Sequence, residues 1–167
     1  MNTERLIKLA EWLEAGAKHE RITFDMSKGI ELRIPQEFEP SQATSCNSSC
    51  CLAGATIQFF GDVRELADIS FDPWRSLDAG MQARELNWWN IADQAEMLLD
   101  LSRTQASYLF KPWNYHIFAD LPRERNSNLN KSEAFNDPAW AARTIRHLIA
   151  TGEANWEATR QTLDAQP

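Results

Sequence analysis

"SCNSSCCLAGATIQFFG", residues 45–61, holds all three cysteines of the chain and continues directly into an apolar run. Between Cys50 and Phe60 only Thr56 and Gln58 have clearly polar side chains. A helix that is apolar on nearly every side lies in the middle of a protein. The preceding serines are suitable N-cap residues, and Gly54 removes side-chain bulk where another backbone could approach closely. The stretch therefore predicts a serine-capped central helix that is buried.

One helix and two strands are predicted before this stretch. A cap at Asn2 or Thr3 precedes apolar residues at helical spacing, which predicts a helix to about Ala17. In "ITFDMSKGIELRI", residues 22–34, apolar and polar residues alternate on both sides of the turn "SKG". This alternation is typical of a β-hairpin.

The second half of the chain is predicted to be mostly helical. Short helices are expected over residues 62–69 and 75–89, and another is expected over residues 91–101, capped by Asn90. Ser102 or Thr104 is the expected cap of the next one, which ends in "YLF".

Clear signals also mark the helices near the end of the chain. Asp137 followed by Pro138 is a strong start signal for "AWAARTIRHLIATG", residues 139–152, and Gly152 is the expected stop. Asn155 is the expected cap of a last helix.

A chain of 167 residues is near the usual size of one domain. We expect a mainly α protein, a single compact helical domain over residues 1–167 with a small N-terminal β-hairpin packed on it. Its parts would be a helix and hairpin (1–35), a loop and the central buried helix (36–61), a helical region (62–111), an irregular loop (112–136) and C-terminal helices (137–164).

Charge and hydropathy restrict the partners. The formal net charge is −7, and this charge repels phosphate backbones. Direct nucleic-acid binding is therefore not favoured, whereas a basic protein partner is favoured. No apolar run approaches the roughly 20 residues of a membrane span. The first residues form an amphipathic pattern instead of a signal peptide. We therefore expect a cytoplasmic protein that has no membrane partner.

The cysteines allow two interpretations. Cys50 in the first turn of a helix would be stabilised as a thiolate nucleophile, with His116 or His147 as its base; Cys51 is the other candidate nucleophile. The favoured alternative is that Cys50 and Cys51 are small buried hydrophobes.

Cys46 and Cys50 have a C-x3-C spacing but lack a second ligand pair. No metal and no cofactor are expected.

Partner-binding candidates come from charge and aromatic patterning. Arg143, Arg146 and His147 recur at helical spacing and predict a small positive face. Aromatic side chains at element ends or in loops often anchor contacts, and the residues in such places are Trp88, Trp89, Trp113 and Tyr115. The sequence contains no GxSxG, P-loop, dinucleotide-binding or HExxH motif, which favours binding over catalysis.

Three blocks of the sequence, in this order, resemble a set of small phage, prophage and bacterial proteins of uncharacterised function. They are "CNSSCCLAGA" (46–55), "AEMLLDLSRTQASYLFKP" (95–112) and "AARTIRHLIATGEANW" (141–156). Asp100, where glycine is usual, and the extra Cys50 depart from the pattern. The resemblance implies a mainly helical fold and a mobile-element context, and it carries over no catalytic residue.

These observations predict a phage or mobile-element accessory protein that acts non-enzymatically by binding a protein partner. One such role is inhibition of a host defence complex in the manner of an anti-CRISPR protein, with the acidic surface occupying a basic nucleic-acid groove. One alternative is a cysteine-dependent hydrolase or acyl transferase. The other is a virion or assembly component.

Overall fold

The structure is a computed structural model that describes residues 1–35, 47–61, 75–76, 81–85, 88–112 and 135–160. The helices in these ranges are α1 (Thr3–Glu14), α2 (Leu52–Phe60), α3 (Trp88–Leu99), α4 (Arg103–Phe110) and α5 (Pro138–Thr151). The strands are β1 (Ile22–Phe24), β2 (Ile30–Pro35), β3 (Asn47–Cys50), β4 (Arg75–Ser76) and β5 (Met81–Glu85). Helices supply more of the described residues than strands do, so this part of the protein is mainly α.

The strands form one sheet in the order β1-β3-β2-β5-β4. β3 runs parallel to β1 and antiparallel to β2, so that Cys50 lies opposite Phe24 on one side and Ile30 on the other. The predicted strands exist, but the predicted hairpin is wrong because β3 lies between them. A four-residue strand with two serines has no alternation of its own, and only its two neighbours hold it in the sheet.

The central helix is confirmed as α2, in which every residue from Leu52 to Ile57 is buried. Its predicted serine cap is wrong: the N-cap residue is Cys51, and no side chain caps the helix. Ser48 and Ser49 lie buried in β3 instead. Cys50 accordingly ends a strand and does not stand in the first turn of a helix.

The helix predicted over residues 75–89 is also wrong. β4 and β5 occupy part of this segment, and β5 pairs with β2 from Glu31↔Glu85 to Pro35↔Met81. Long-range pairing here overrides local helix propensity. α3 begins at Trp88, so that Asn90 lies inside the helix and is not its cap. The segment 62–69 and the central part of the predicted loop, 113–134, lie outside the described residues.

Four end signals are confirmed. Asn2 accepts a hydrogen bond from the N–H of Arg5, Ser102 caps α4, Asp137 caps α5 beside Pro138, and Gly152 ends α5 at φ 80°. The segment after Asn155 forms only a turn as far as Arg160.

The core lies between the helices. α1 packs along α5, and α2 packs against α3. The buried residues that α1 and α5 contribute include Leu6, Leu9, Leu13, Ile145 and Leu148. Within the described ranges, no helix combines the length and apolar character that crossing a membrane requires.

Candidate functional site

The two cysteines that the structure describes, Cys50 and Cys51, are closed to solvent. Cys50 and Cys51 are both 0% exposed, which confirms that they are small buried hydrophobes. Burial raises the pKa of the Cys50 thiol well above its ordinary value of 9.0; Cys51 and Asp25 raise this pKa further, and the nearby amide of Gln58 lowers it in part. Such surroundings favour the protonated thiol, which is a poor nucleophile. His116, one of the two proposed bases, lies outside the described residues.

Backbone contacts explain why this segment has no room. The N–H of Cys51 donates to the carbonyl of Lys28 at 2.7 Å. A Cβ added to Gly54 would lie 2.1 Å from the carbonyl oxygen of Gly29. The close approach predicted for Gly54 is therefore confirmed. In the part of the chain that the structure describes, no group of three His, Cys, Asp or Glu residues could hold a metal ion.

The predicted positive face on α5 is engaged within the chain. Arg146 donates from Nε and Nη2 to the two carboxylate oxygens of Glu14, both at 3.0 Å. This contact lowers the pKa of Glu14 and raises that of Arg146. Arg143 donates to the carbonyl of Thr159 at 3.1 Å. These two arginines tie α5 to α1 and to the segment after α5, while His147 stands beside them on the same helix.

The aromatic candidates are described only in part. Trp113 and Tyr115 lie outside the described residues, and so do the side chains of Trp88 and Trp89, which stand in the first turn of α3.

A cleft of about 670 Å³ opens between the start of α4 and the turn that follows α5. We call it the α4–α5 cleft. Side chains from both sides of it, Thr104, Gln105, Tyr108, Glu153, Asn155 and Glu157, surround it together with Trp156. Trp156 is 1% exposed and forms the floor, whereas Tyr108 is 37% exposed on the α4 side.

Gln105 joins the two sides of the cleft. Its Oε1 accepts from the N–H of Ser102 at 2.9 Å, which completes a capping box at the start of α4. Its Nε2 donates to the carbonyl of Gly152 at 2.8 Å. A single side chain therefore caps one helix and binds the end of another.

An aromatic cluster holds the floor in place. Phe135 stacks on Trp140 with ring centroids 5.0 Å apart, and both rings meet Trp156 edge-on. The Nε1 of Trp140 donates to the carbonyl of Trp156 at 2.8 Å, and the Nε1 of Trp156 donates to the carbonyl of Tyr108 at 3.1 Å. The indole N–H groups thus connect the segment after α5 with both helices.

The cleft is acidic and aromatic. Glu153 and Glu157 are exposed, and within the described ranges neither forms a salt bridge with Lys or Arg. Of the described residues that line the cleft, none is basic. Arg103, adjacent in sequence, is bound to Asp93 and Glu96 on α3. Two carboxylates beside a half-exposed phenol ring match a guanidinium or ammonium group, by charge and by cation–π attraction.

Sequence reasoning identified parts of this site without assembling them. It found Ser102, Gly152 and Asn155 as helix-end signals, but it assigned no role to Tyr108, Glu153 or Glu157. The usable signal was the block "TGEANW", residues 151–156, where a helix stop is followed at once by an acid and a tryptophan.

Comparison of the chain with known protein families, with curated proteins and with solved structures gives no match.

Proposed function

We propose that the protein acts non-enzymatically by binding a protein partner, and that the α4–α5 cleft receives an arginine or lysine side chain from a basic segment of that partner. The observation that carries this proposal is the combination of open volume, the ring of Tyr108, and the carboxylates of Glu153 and Glu157 without a basic neighbour in the lining. The Gln105 hydrogen bonds and the aromatic cluster around Trp156, which hold the sides of the cleft in place, also support the proposal. A pre-organised site loses little entropy on binding.

The charge of the whole chain supports the same direction. A net charge of −7 attracts a basic surface over long range and raises its association rate. Taken with the resemblance to phage and prophage proteins, this favours a mobile-element accessory protein in the host cytoplasm. In this proposal it occupies a basic, nucleic-acid-binding surface of a host defence complex, in the manner of an anti-CRISPR protein.

The buried thiols favour binding over catalysis. A cysteine hydrolase needs a thiolate that substrate can reach. Cys50 and Cys51 are fully buried, and the pKa of Cys50 is raised.

The cleft can be tested with a defined probe. A short blocked peptide with a central arginine, titrated into isotope-labelled protein, should shift the NMR signals of Tyr108, Glu153 and Glu157. The same peptide with citrulline, the neutral isostere, should not. Replacing Glu153 and Glu157 together by glutamine should weaken arginine-peptide binding about tenfold, since an exposed ion pair contributes about 0.2–1 kcal/mol and a tenfold change in affinity corresponds to about 1.4 kcal/mol.

A matched control separates the cleft from net charge. The pair Glu11→Gln and Glu20→Gln removes the same two charges from exposed positions outside the cleft lining and should keep the affinity. Equal loss in both double variants, or equal binding of the citrulline peptide, would contradict the proposal.

The partner is then sought with the same variants. Capture from host lysate at low and at high salt should yield a basic nucleic-acid-binding complex with the wild type and lose it with the cleft variant. If neither salt condition yields a specific complex that depends on the cleft, the proposed function is wrong.

A further inference from the structure

A second surface lies at the edge of the sheet, where β1 has a neighbour on one side only among the described strands. Arg21 accepts through its carbonyl from the N–H of Ser48, and the N–H of Asp25 donates to the carbonyl of Cys50, both at 2.8 Å. Alternate residues of a parallel strand face its partner. The backbone groups of Ile22 and Phe24 therefore point away from β3, which is the strand that pairs with β1, and within the described ranges no other backbone bond engages them.

A groove of about 370 Å³ runs beside this edge. It is lined by Gly16 to His19 after α1, by β1 itself and by Pro138 at the start of α5. Phe24, half-buried and packed edge-on against Trp12 at 6.1 Å, gives the groove an apolar patch together with Pro138. Unpaired strand groups beside a groove are the arrangement by which proteins bind extended segments as an added strand.

The rim of the groove carries one cation and one imidazole hydrogen-bond donor. Lys18 is exposed and forms no salt bridge in the described part of the chain. His19 is exposed and accepts through Nδ1 from the N–H of Arg21 at 3.1 Å, which leaves Nε2 as the ring's donor. Both side chains complement a carboxylate.

We propose that the β1 edge binds an extended segment of a protein partner as an additional strand, with an acidic side chain against Lys18 and His19 and an apolar side chain against Phe24 and Pro138. The backbone of Ile22 and Phe24 supplies the strand pairing, and the rim selects the charge. This surface is separate from the α4–α5 cleft and takes the opposite charge, so either can fail without the other.

The test uses a short blocked peptide of alternating threonine and valine with a central aspartate. We expect it to shift the NMR signals of the Ile22 and Phe24 amides and to slow their hydrogen exchange, while the amide of Thr23, which faces β3, changes less. A copy of the peptide with N-methylated amides should lose binding, and a copy with lysine for aspartate should bind about tenfold more weakly.

Two charge variants complete the design. Lys18→Glu should weaken binding about tenfold, whereas Lys8→Glu, the same change on α1 outside the groove lining, should leave it unchanged. Equal binding of the N-methylated peptide overturns the proposal. So does protection of Ile22 and Phe24 that grows with protein concentration in the absence of peptide, because the occupant would then be a second copy of the chain.

Discussion

The β3–α2 junction and the α4–α5 cleft both lie at the ends of secondary-structure elements. The contacts that join the two sides differ between them. At the junction, backbone meets backbone: Gly54 lies against the carbonyl of Gly29, and Cys51 donates its N–H to Lys28. At the cleft, side chains connect the two sides, and Gln105 does so through its hydrogen bonds to Ser102 and Gly152.

The type of contact that joins the two sides determines whether each region can bind a ligand. Backbone contact leaves the thiols of the junction no exposed surface, so residues with reactive chemistry serve as packing. At the cleft the two sides meet through side chains such as Gln105, and about 670 Å³ remains open between them. In this protein, therefore, the presence of cysteines indicates function less well than an open cleft beside carboxylates that form no salt bridge in the described ranges.

The largest expected effect comes from filling the junction. In Gly54→Ala the new Cβ would lie 2.1 Å from the Gly29 carbonyl oxygen and 2.7 Å from Cys50 Cβ. We expect a loss of unfolding free energy above the ~1–3 kcal/mol of ordinary over-packing, measured by urea denaturation. Gly152→Ala beside the cleft is the control: nothing lies within 4 Å of the new Cβ, and only the φ of +80° opposes it, at about 1–2 kcal/mol. Equal losses would contradict the difference between the regions.

Removing the bridge of the cleft should have a moderate effect. Gln105→Ala deletes the bonds to Ser102 and Gly152, at about 0.5–1.5 kcal/mol each, and should also weaken binding of the arginine peptide. Gln105→Glu keeps a capping-box acceptor but loses the donor to Gly152, so calorimetry should show an intermediate melting temperature. If both variants melt like the wild type, the bridge does not stabilise the protein.

The raised pKa of Cys50 predicts instability at alkaline pH. Below the ordinary value of 9.0, folded and unfolded chains both keep the thiol proton. Above it the unfolded chain loses the proton first, so the unfolding free energy falls by up to about 1.4 kcal/mol per pH unit. Denaturation at several pH values should show this slope, and Cys50→Ala should reduce it. Fast alkylation of the native thiol at pH 8 would contradict the burial on which this rests.

The smallest effect is expected where a side-chain contact lies at the surface. Arg146→Gln removes the two hydrogen bonds to Glu14. The side chain of Arg146 is 41% exposed and that of Glu14 is 46% exposed, so the unfolding free energy should fall by about 0.2–1 kcal/mol. Because this contact lowers the pKa of Glu14 below 4.5, its contribution is present above that pH and is lost as the pH falls through the lowered value. NMR titration should show the Glu14 pKa rising in the variant, while that of Glu4, paired with Lys8, stays the same.

Local signals predicted the helix ends and the buried helix. Asn2, Ser102, Asp137 and Gly152 act through bonds within a few residues, so their sequence context contains the needed information. The burial of α2 followed equally from its composition. Gly54 was identified as a point of close approach, although the partner backbone was not.

Long-range pairing could not be predicted from the same signals. Nothing in "NSSC" (47–50) indicates that it separates β1 from β2, and β5 is a strand because β2 pairs with it. The cleft escaped prediction for a similar reason: Gln105 and Gly152 each look like an ordinary helix end, and the bond between them spans 47 residues of sequence.

The packing of α1 along α5 has a consequence for synthesis. The fork between Glu14 and Arg146 spans 132 residues of sequence, so the apolar stripe of α1 has no α5 to pack against until the ribosome has made that further length of chain. Contacts of such sequence separation slow folding, since the intervening chain must be brought together first. α1 therefore leaves the ribosome before α5 can cover Leu6, Leu9 and Leu13, and we expect a nascent-chain chaperone to bind these side chains in the meantime.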